Sequence, residues 1–342
     1  MRILGTLFSL SLLVGVHAEL GYPGPAPYFN WTRNFSLPLA RFAFDHAAAA
    51  YSATPEDCLR KHGAVLLRRV ALPCDRIWDE CWAFVSLAEE WIVVAFRGTT
   101  DHLQLTVEVL EDIFLPKTPF APGGAVVHYF KNAFEVVWAE LNGTVADAKK
   151  EHPDRGILFT GHSLGGALAS LASSSFAFEH AAPGDELQLV TFGQPRLVTF
   201  GQPRVGNMDF AAAHDALVPN SWRLVHAKDL VPHVPNCFVS ILSRGCASYF
   251  NHATYHHGTE IWFPEDMRPQ ALFKICTGSP VNEDKSCSDS YYFKMNITEH
   301  THYFERHVSH YGRCGCKEKA SCVLNKTPKG RSPSTSTSKG RL

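Results

Sequence analysis

The stretch Ile157-Leu158-Phe159-Thr160-Gly161-His162-Ser163-Leu164-Gly165-Gly166-Ala167 decides the reading of this chain. Three β-prone apolar residues come first and a Gly-x-Ser-x-Gly turn follows. An Ala- and Ser-rich run, predicted to be a helix over 167–178, comes next. A serine flanked by glycines between a strand and a helix sits on a sharp, strained turn with its hydroxyl presented outward. The glycines let strand and helix approach closely. This context separates a nucleophile elbow from a bare Gly/Ser turn, and Ser163 is the candidate nucleophile.

Outward from the elbow, strand and helix patterns alternate. Runs at 81–85 and 91–96 read as adjacent strands joined by the acidic turn at Glu89-Glu90. Helices are predicted over 39–51 and over 126–150, where Phe130, Phe134, Val137, Trp138 and Leu141 recur at helical spacing. Further strands are expected at 187–192, 222–226 and 260–263. The alternation predicts an α/β fold with a mostly parallel sheet. One feature is unusual: Leu189-Val190-Thr191-Phe192-Gly193-Gln194-Pro195-Arg196 is repeated residue for residue over 197–204. Two copies cannot fill one slot in a sheet, so one copy is expected to be the strand and the other to loop out. The repeat lies between Ser163 and the downstream acids, where it threatens to displace one of them.

The 342 residues are enough for a sizeable core, and 45% apolar with 19% charged residues is ordinary globular composition. A net charge of −1 gives no global pull toward nucleic acid. Met1-Arg2, an apolar run over 3–16 and His17-Ala18 predict a signal peptide over 1–18. No other stretch is long and apolar enough to predict a transmembrane segment. An irregular Pro- and Gly-rich segment is expected within 19–38, and a disordered Ser/Thr/Pro/Lys-rich tail over 323–342. Ten cysteines, without arrays at zinc-site spacing, predict disulfides rather than a metal. Cys276 with Cys287 and Cys237 with Cys246 are plausible local pairs. Sequons at Asn30, Asn34, Asn142, Asn296 and Asn325 have meaning if the chain enters the secretory pathway.

A serine needs a base, and the base an orienting carboxylate. In a fold of this class both lie downstream, acid before histidine. Asp229 follows a predicted strand, where such an acid belongs. The histidine stays open on chemistry alone among His256, His257, His300 and His302.

Several segments together resemble the class 3 lipases, a family known from fungal triacylglycerol lipases. The likeness is strongest to a secreted nematode branch. The segments are Phe96-Arg97-Gly98-Thr99-Thr100, Thr160 to Ala167 around the elbow, Thr199-Phe200-Gly201-Gln202-Pro203-Arg204-Val205-Gly206, Asp229-Leu230-Val231-Pro232-His233-Val234-Pro235, and Cys287-Ser288-Asp289-Ser290 followed by Glu299-His300-Thr301-His302-Tyr303-Phe304. The resemblance implies an α/β-hydrolase domain over 39–322. It implies a triad of Ser163, Asp229 and His300, with His302 as the alternative base and His257 as structural. It also implies an oxyanion hole from the backbone N–H groups of Thr99 and Leu164. Two departures stand out. Glu299 precedes the histidine where the family has Asp, and His128-Tyr129-Phe130 lacks a family glycine.

The implied function is that of a secreted, extracellular lipase, needing no metal or organic cofactor, that hydrolyses lipid esters through an acyl-enzyme. Triacylglycerol at a lipid–water interface is the expected substrate. The same site would serve a phospholipase A1, a diacylglycerol lipase or a feruloyl-type esterase; a non-catalytic lipid-binding protein is the competing class. Leu103, Val107, Leu110 and Phe114 recur at helical spacing and are compatible with an amphipathic lid or with a permanently packed surface helix.

Overall fold

Strand side chains alternate between two buried layers. Ile92, Val94 and Phe96 join one core cluster, while Val93 and Ala95 join the other. Ile157 and Phe159 face the first cluster and Leu158 the second. Strands buried on both faces need helices on both faces, and continuous apolar runs such as Trp91-Ile92-Val93-Val94-Ala95-Phe96 are their sequence signature.

The computed structural model describes residues 35–74, 80–99, 116–180, 195–235, 253–290 and 295–318. The expected leader, lid stretch and tail lie outside the described residues, as do Cys237, Cys246, Asn30, Asn34 and Asn325. The central sheet has eight strands in the order β1-β2-β3-β6-β7-β8-β9-β10. These are Val65–Pro73, Glu80–Leu87, Trp91–Phe96, Gly156–His162, Arg196–Phe200, Asn220–His226, Thr259–Phe263 and Lys274–Cys276. A small ribbon, β4 (Lys117–Pro119) and β5 (Ala125–Val127), stands apart. The five strands from β3 to β9 pair in parallel, and β1, β2 and β10 are antiparallel additions at the two edges. The predicted hairpin across Glu89-Glu90 is β2–β3. The edge strands β1 and β10 were not foreseen.

Helices α1 (Leu37–Ala49) and α2 (Glu56–Leu59) cover one face. On the other face lie α3 (His128–Glu151), α4 (Leu164–Glu179) and α5 (Met208–Leu217). Ser36 caps α1, its hydroxyl accepting from Leu39 N–H at 3.3 Å, and a proline occupies the first turn. The chain then passes through a short helix α6 (Ile297–Thr301), a two-stranded turn β11–β12 (His302–Tyr303 and Arg306–His307), and α7 (Val308–Arg313), which packs on α1. Cys58 and Cys316 join α2 to the residues after α7 across 258 positions. Cys74 pairs with Cys81, and Cys276 pairs with Cys287 as expected.

The repeat resolves in favour of its second copy. Leu197, Val198 and Phe200 are buried in β7 between β6 and β8. The residues that follow are tied down one after another. Gly201 N–H donates to Leu224 C=O at 3.1 Å, and Arg204 N–H to Val234 C=O at 2.9 Å. Val205 C=O accepts from Val127 N–H at 2.9 Å, and Gly206 bridges Val126 and Tyr255. This unbroken run has no place for eight inserted residues. The surplus therefore falls before β7, in the sixteen-residue connection between Glu179 and Arg196. The strand expected at 187–192 lies outside the described residues; the slot is filled by Arg196–Phe200 instead. Asp229 is not displaced, because nothing is added between β7 and the acid loop.

Deleting 189–196 leaves one copy in the same register and halves the connection. Loop-closure entropy then favours the deleted form by about 0.6 kcal/mol. Thermal unfolding is expected to give a Tm equal to or slightly above that of the full chain; a large drop would show that the first copy carries packing of its own.

Candidate active site

The elbow forms where β6 meets α4. Ser163 has φ 59° and ψ −129°, a left-handed conformation that a non-glycine residue adopts only under constraint. The constraint is visible. Ser163 N–H donates to Phe200 C=O at 2.9 Å, and Ser163 C=O accepts from Gly166 N–H at 2.9 Å. A Cβ on Gly161 would lie 2.2 Å from Gly165 C=O, so strand and helix meet only because residue 161 is glycine.

Asp229 follows β8 at the same end of the sheet and is fully buried. Both of its carboxylate oxygens lie 3.0 Å from His300 Nδ1. Oδ2 also accepts from the Tyr303 hydroxyl at 2.7 Å, and Oδ1 from Val231 N–H at 2.9 Å. Burial raises the Asp229 carboxyl, but His300, Tyr303 and the Val231 N–H outweigh it and hold it below its ordinary value. A carboxylate only accepts, so Nδ1 of His300 carries the proton and Nε2 is left with its lone pair. Burial and the adjoining Asp229 charge push the Tyr303 hydroxyl well above its ordinary value, keeping it a donor.

The serine side joins the acid side through His162. Its ring stacks on that of His300 at 4.6 Å between centroids, one residue before Ser163. Gly201, in the left-handed region at φ 57°, leaves room for the pair: a Cβ there would lie 2.7 Å from both Asp229 Oδ2 and His300 Nδ1. The structure thus brings Ser163, Asp229 and His300 together at one end of the parallel strands. The other histidines are engaged elsewhere. His302 Nδ1 contacts Thr298 C=O at 3.0 Å and the Thr301 hydroxyl at 2.9 Å. His257 Nε2 meets Ser170 Oγ at 2.6 Å in the core, and His256 Nε2 donates to Pro232 C=O at 2.7 Å. Glu299, the departure from the family pattern, faces His226 at 3.4 Å rather than the acid.

Leu164 opens α4, so its N–H has no intrahelical acceptor. Thr99 is half-buried just beyond β3, the strand paired with β6.

The family description "Lipase (class 3)" matches residues 93–239, which include the elbow and Asp229. A lipase of Caenorhabditis elegans is 32% identical over 329 residues, covering 90% of this chain and 88% of the relative. The chain belongs to the class 3 lipase family. It is an ester hydrolase of the serine type, and its fold is the α/β-hydrolase fold. Among solved structures, the lipase of Rhizopus microsporus var. chinensis superposes with a TM-score of 0.63 at 26% identity, covering 80% of this chain and 90% of that one. The triacylglyceride lipase of Rhizomucor miehei shares the fold at the same TM-score of 0.63 with 22% identity, over 80% and 95% of the two chains. Among the described residues, no helix is long and apolar enough to cross a membrane.

A buried ionic cluster backs the acid loop of this lipase. Arg204 grips Glu283 with two bonds of 2.8 and 2.7 Å, and lies 3.7 Å from Asp289. Asp289 also meets His233 Nδ1 at 3.0 Å, four residues after Asp229. The Cys276–Cys287 disulfide anchors the segment that carries both acids. Burial raises the Asp289 carboxyl, but His233 and Arg204 override it and bring it down to about 2. A carboxyl depressed on folding stabilises the native state above its unfolded value, about 3.9, and loses that contribution as pH falls through the folded one. Asp289→Asn is therefore expected to cost about 2 kcal/mol at pH 7 and much less near pH 2. Denaturant unfolding at the two pH values measures this; an equal loss at both would contradict it.

Proposed function

We propose that Ser163, His300 and Asp229 act as nucleophile, base and orienting acid in the hydrolysis of lipid carboxylic esters, with triacylglycerol as the preferred class. The observation that carries this reading is the buried Asp229–His300 pair, joined through His162 to the strained turn at Ser163. The described lipase of Rhizomucor miehei acts on triacylglycerides, and this chain shares its fold.

In this reading His300 Nε2 removes the Ser163 proton as Oγ attacks the ester carbonyl. The oxyanion is held by the N–H groups of Thr99 and Leu164, and each such donor contributes about 3 kcal/mol. His300 then protonates the leaving alcohol. It next takes a proton from the water that attacks the acyl-enzyme, and returning that proton to Oγ restores Ser163. Asp229 stays ionised and stabilises the imidazolium. None of these steps draws on a metal or organic cofactor.

We place the enzyme outside the cell, as a leader over 1–18 followed by a hydrolase domain over 39–322. The disulfides support this, as does a similar protein described as a secreted mono- and diacylglycerol lipase. Of the two sequons among the described residues, Asn296 is exposed at the start of α6, its Oδ1 accepting from Thr298 N–H at 2.9 Å. Asn142 instead lies within α3, its Nδ2 bonded to Glu179 at 3.0 Å and its Oδ1 buried. Expression in a secreting eukaryotic host is expected to release the chain into the medium lacking 1–18 and glycosylated at Asn296. Retention inside the cell with an intact leader would contradict the placement.

A substrate panel tests the chemistry. Emulsified triacylglycerol is expected to be turned over faster than phospholipid, diacylglycerol or aryl cinnamate esters. Asp229→Asn is expected to lower kcat by ~10⁴-fold through loss of the imidazole orientation. Equal turnover by wild type and Asp229→Asn would remove the acid from the mechanism, and a preference for phospholipid would change the substrate class.

A further inference from the structure

The histidine of the proposed triad sits on a poor scaffold. His300 lies near the end of α6, which has only five residues and too few internal bonds to be stable alone. Its backbone C=O is among the last-turn carbonyls that find no partner within a helix. That carbonyl is met from outside: His162 Nε2 lies 2.8 Å from it, in the buried core. A carbonyl only accepts, so Nε2 of His162 carries the proton and Nδ1 is a lone pair. The lone pair is met in turn by the Tyr51 hydroxyl at 2.8 Å, which must donate. The His162 ring also lies face to face with the His300 ring, tilted by 28°.

Tyr51 reaches this point from the far side of the nucleophile. It follows α1 in the chain and is 6% exposed. A Cβ on Gly98 would lie 2.4 Å from its hydroxyl and 3.1 Å from Ser163 Cβ. Burial, and then the nearness of His300, bring His162 down to about 3, so it remains a neutral imidazole beside the one that must accept a proton. A cation there would oppose the imidazolium formed in the reaction.

We infer that Tyr51 and His162 are positioning residues for the hydrolytic reaction: the Tyr51 hydroxyl fixes the tautomer of His162, and His162 clamps His300 by its backbone carbonyl and its ring face. Because His162 is bonded directly to Ser163, the clamp ties base and nucleophile together through a single peptide link. Asp229 sets the rotation of the imidazole, and the clamp sets where the imidazole stands. Without the Tyr51 hydroxyl, the proton on His162 can move to Nδ1. Nε2 then turns a lone pair toward the His300 carbonyl, and attraction becomes repulsion.

The inference rests on the triad reading, and the test separates the two. Stoichiometric labelling by a fluorophosphonate counts active sites, and the steady rate on a soluble p-nitrophenyl ester then gives kcat per site. Wild-type labelling and turnover that are both abolished by Ser163→Ala uphold the triad; turnover that survives Ser163→Ala, or none from wild type, would sink the triad reading and the clamp with it. Tyr51→Phe removes one oxygen and is expected to leave the fraction of active sites unchanged. It should lower kcat per site by ~10-fold, with KM within about twofold, as expected for a misplaced base. His162→Leu should lose at least as much. His162→Gln, whose amide can donate to the carbonyl and accept from Tyr51, should recover part of that loss. A structural role would reduce the number of titratable sites and leave the rate of each site alone. If Tyr51→Phe shows only that, or keeps kcat per site within twofold of wild type, the clamp is overturned even where the His162 variants fail to fold.

Discussion

The carboxylate of Asp229 has no access to water, and the surrounding structure keeps it charged. An ion removed from solvent costs several kcal/mol unless its lone pairs are met by donors. Here three donors come from two stretches of the chain, the acid loop itself and the segment that carries residues 300 to 303. Val231 supplies an N–H, Tyr303 a hydroxyl and His300 the Nδ1 proton. Each donor also fixes an element. The Val231 bond turns the acid loop back on itself, Tyr303 fastens the turn after α6, and His300 is held with its Nδ1 on the carboxylate. Stabilising one buried charge thus builds the site.

The parallel sheet makes that arrangement possible. Ser163 and Asp229 sit just beyond the carboxyl ends of β6 and β8, with β7 between them. The segment after β7 contributes Gly201, which passes against both Asp229 and His300. The third member arrives from outside the sheet, on a short helix that could not hold it unaided. The Cys58–Cys316 bridge and the packing of α7 on α1 keep this final segment in place from one side. The Arg204–Glu283–Asp289–His233 cluster holds the acid loop from the other.

Much of this was legible in the residue string, and the reasons differ by element. The elbow was readable because a strained turn requires glycines at fixed offsets from a serine. The central strands were readable because burial on both faces makes their apolar runs continuous. His300 was not readable from chemistry alone, since its competitors His256, His257 and His302 differ from it only in what they touch after folding; the family resemblance selected it. The edge strand β1 was missed because its exposed and half-buried residues, among them Arg68 and Arg69, break the apolar pattern. The Cys58–Cys316 pair, 258 positions apart, had no local signal, whereas Cys74–Cys81, seven positions apart, had as short a spacing as the pairs that were named but was not singled out. Tyr303 stood within the quoted motif, yet its bond to Asp229 appears only once the turn after α6 is folded. The repeated octapeptide could not be placed from sequence because its copies are identical. What chooses between them is the unbroken series of contacts from Gly201 to Gly206 that follows the second copy of the strand.

The proposed hydrolysis requires Ser163 to be an activated nucleophile, and a fluorophosphonate reports on that directly. Incubation of the purified full chain followed by peptide mass spectrometry is predicted to find one phosphonyl group per chain, on Ser163. Ser163→Ala should carry none, and His300→Ala should be modified far more slowly. An unmodified wild-type protein, or an adduct on another residue, would contradict the account.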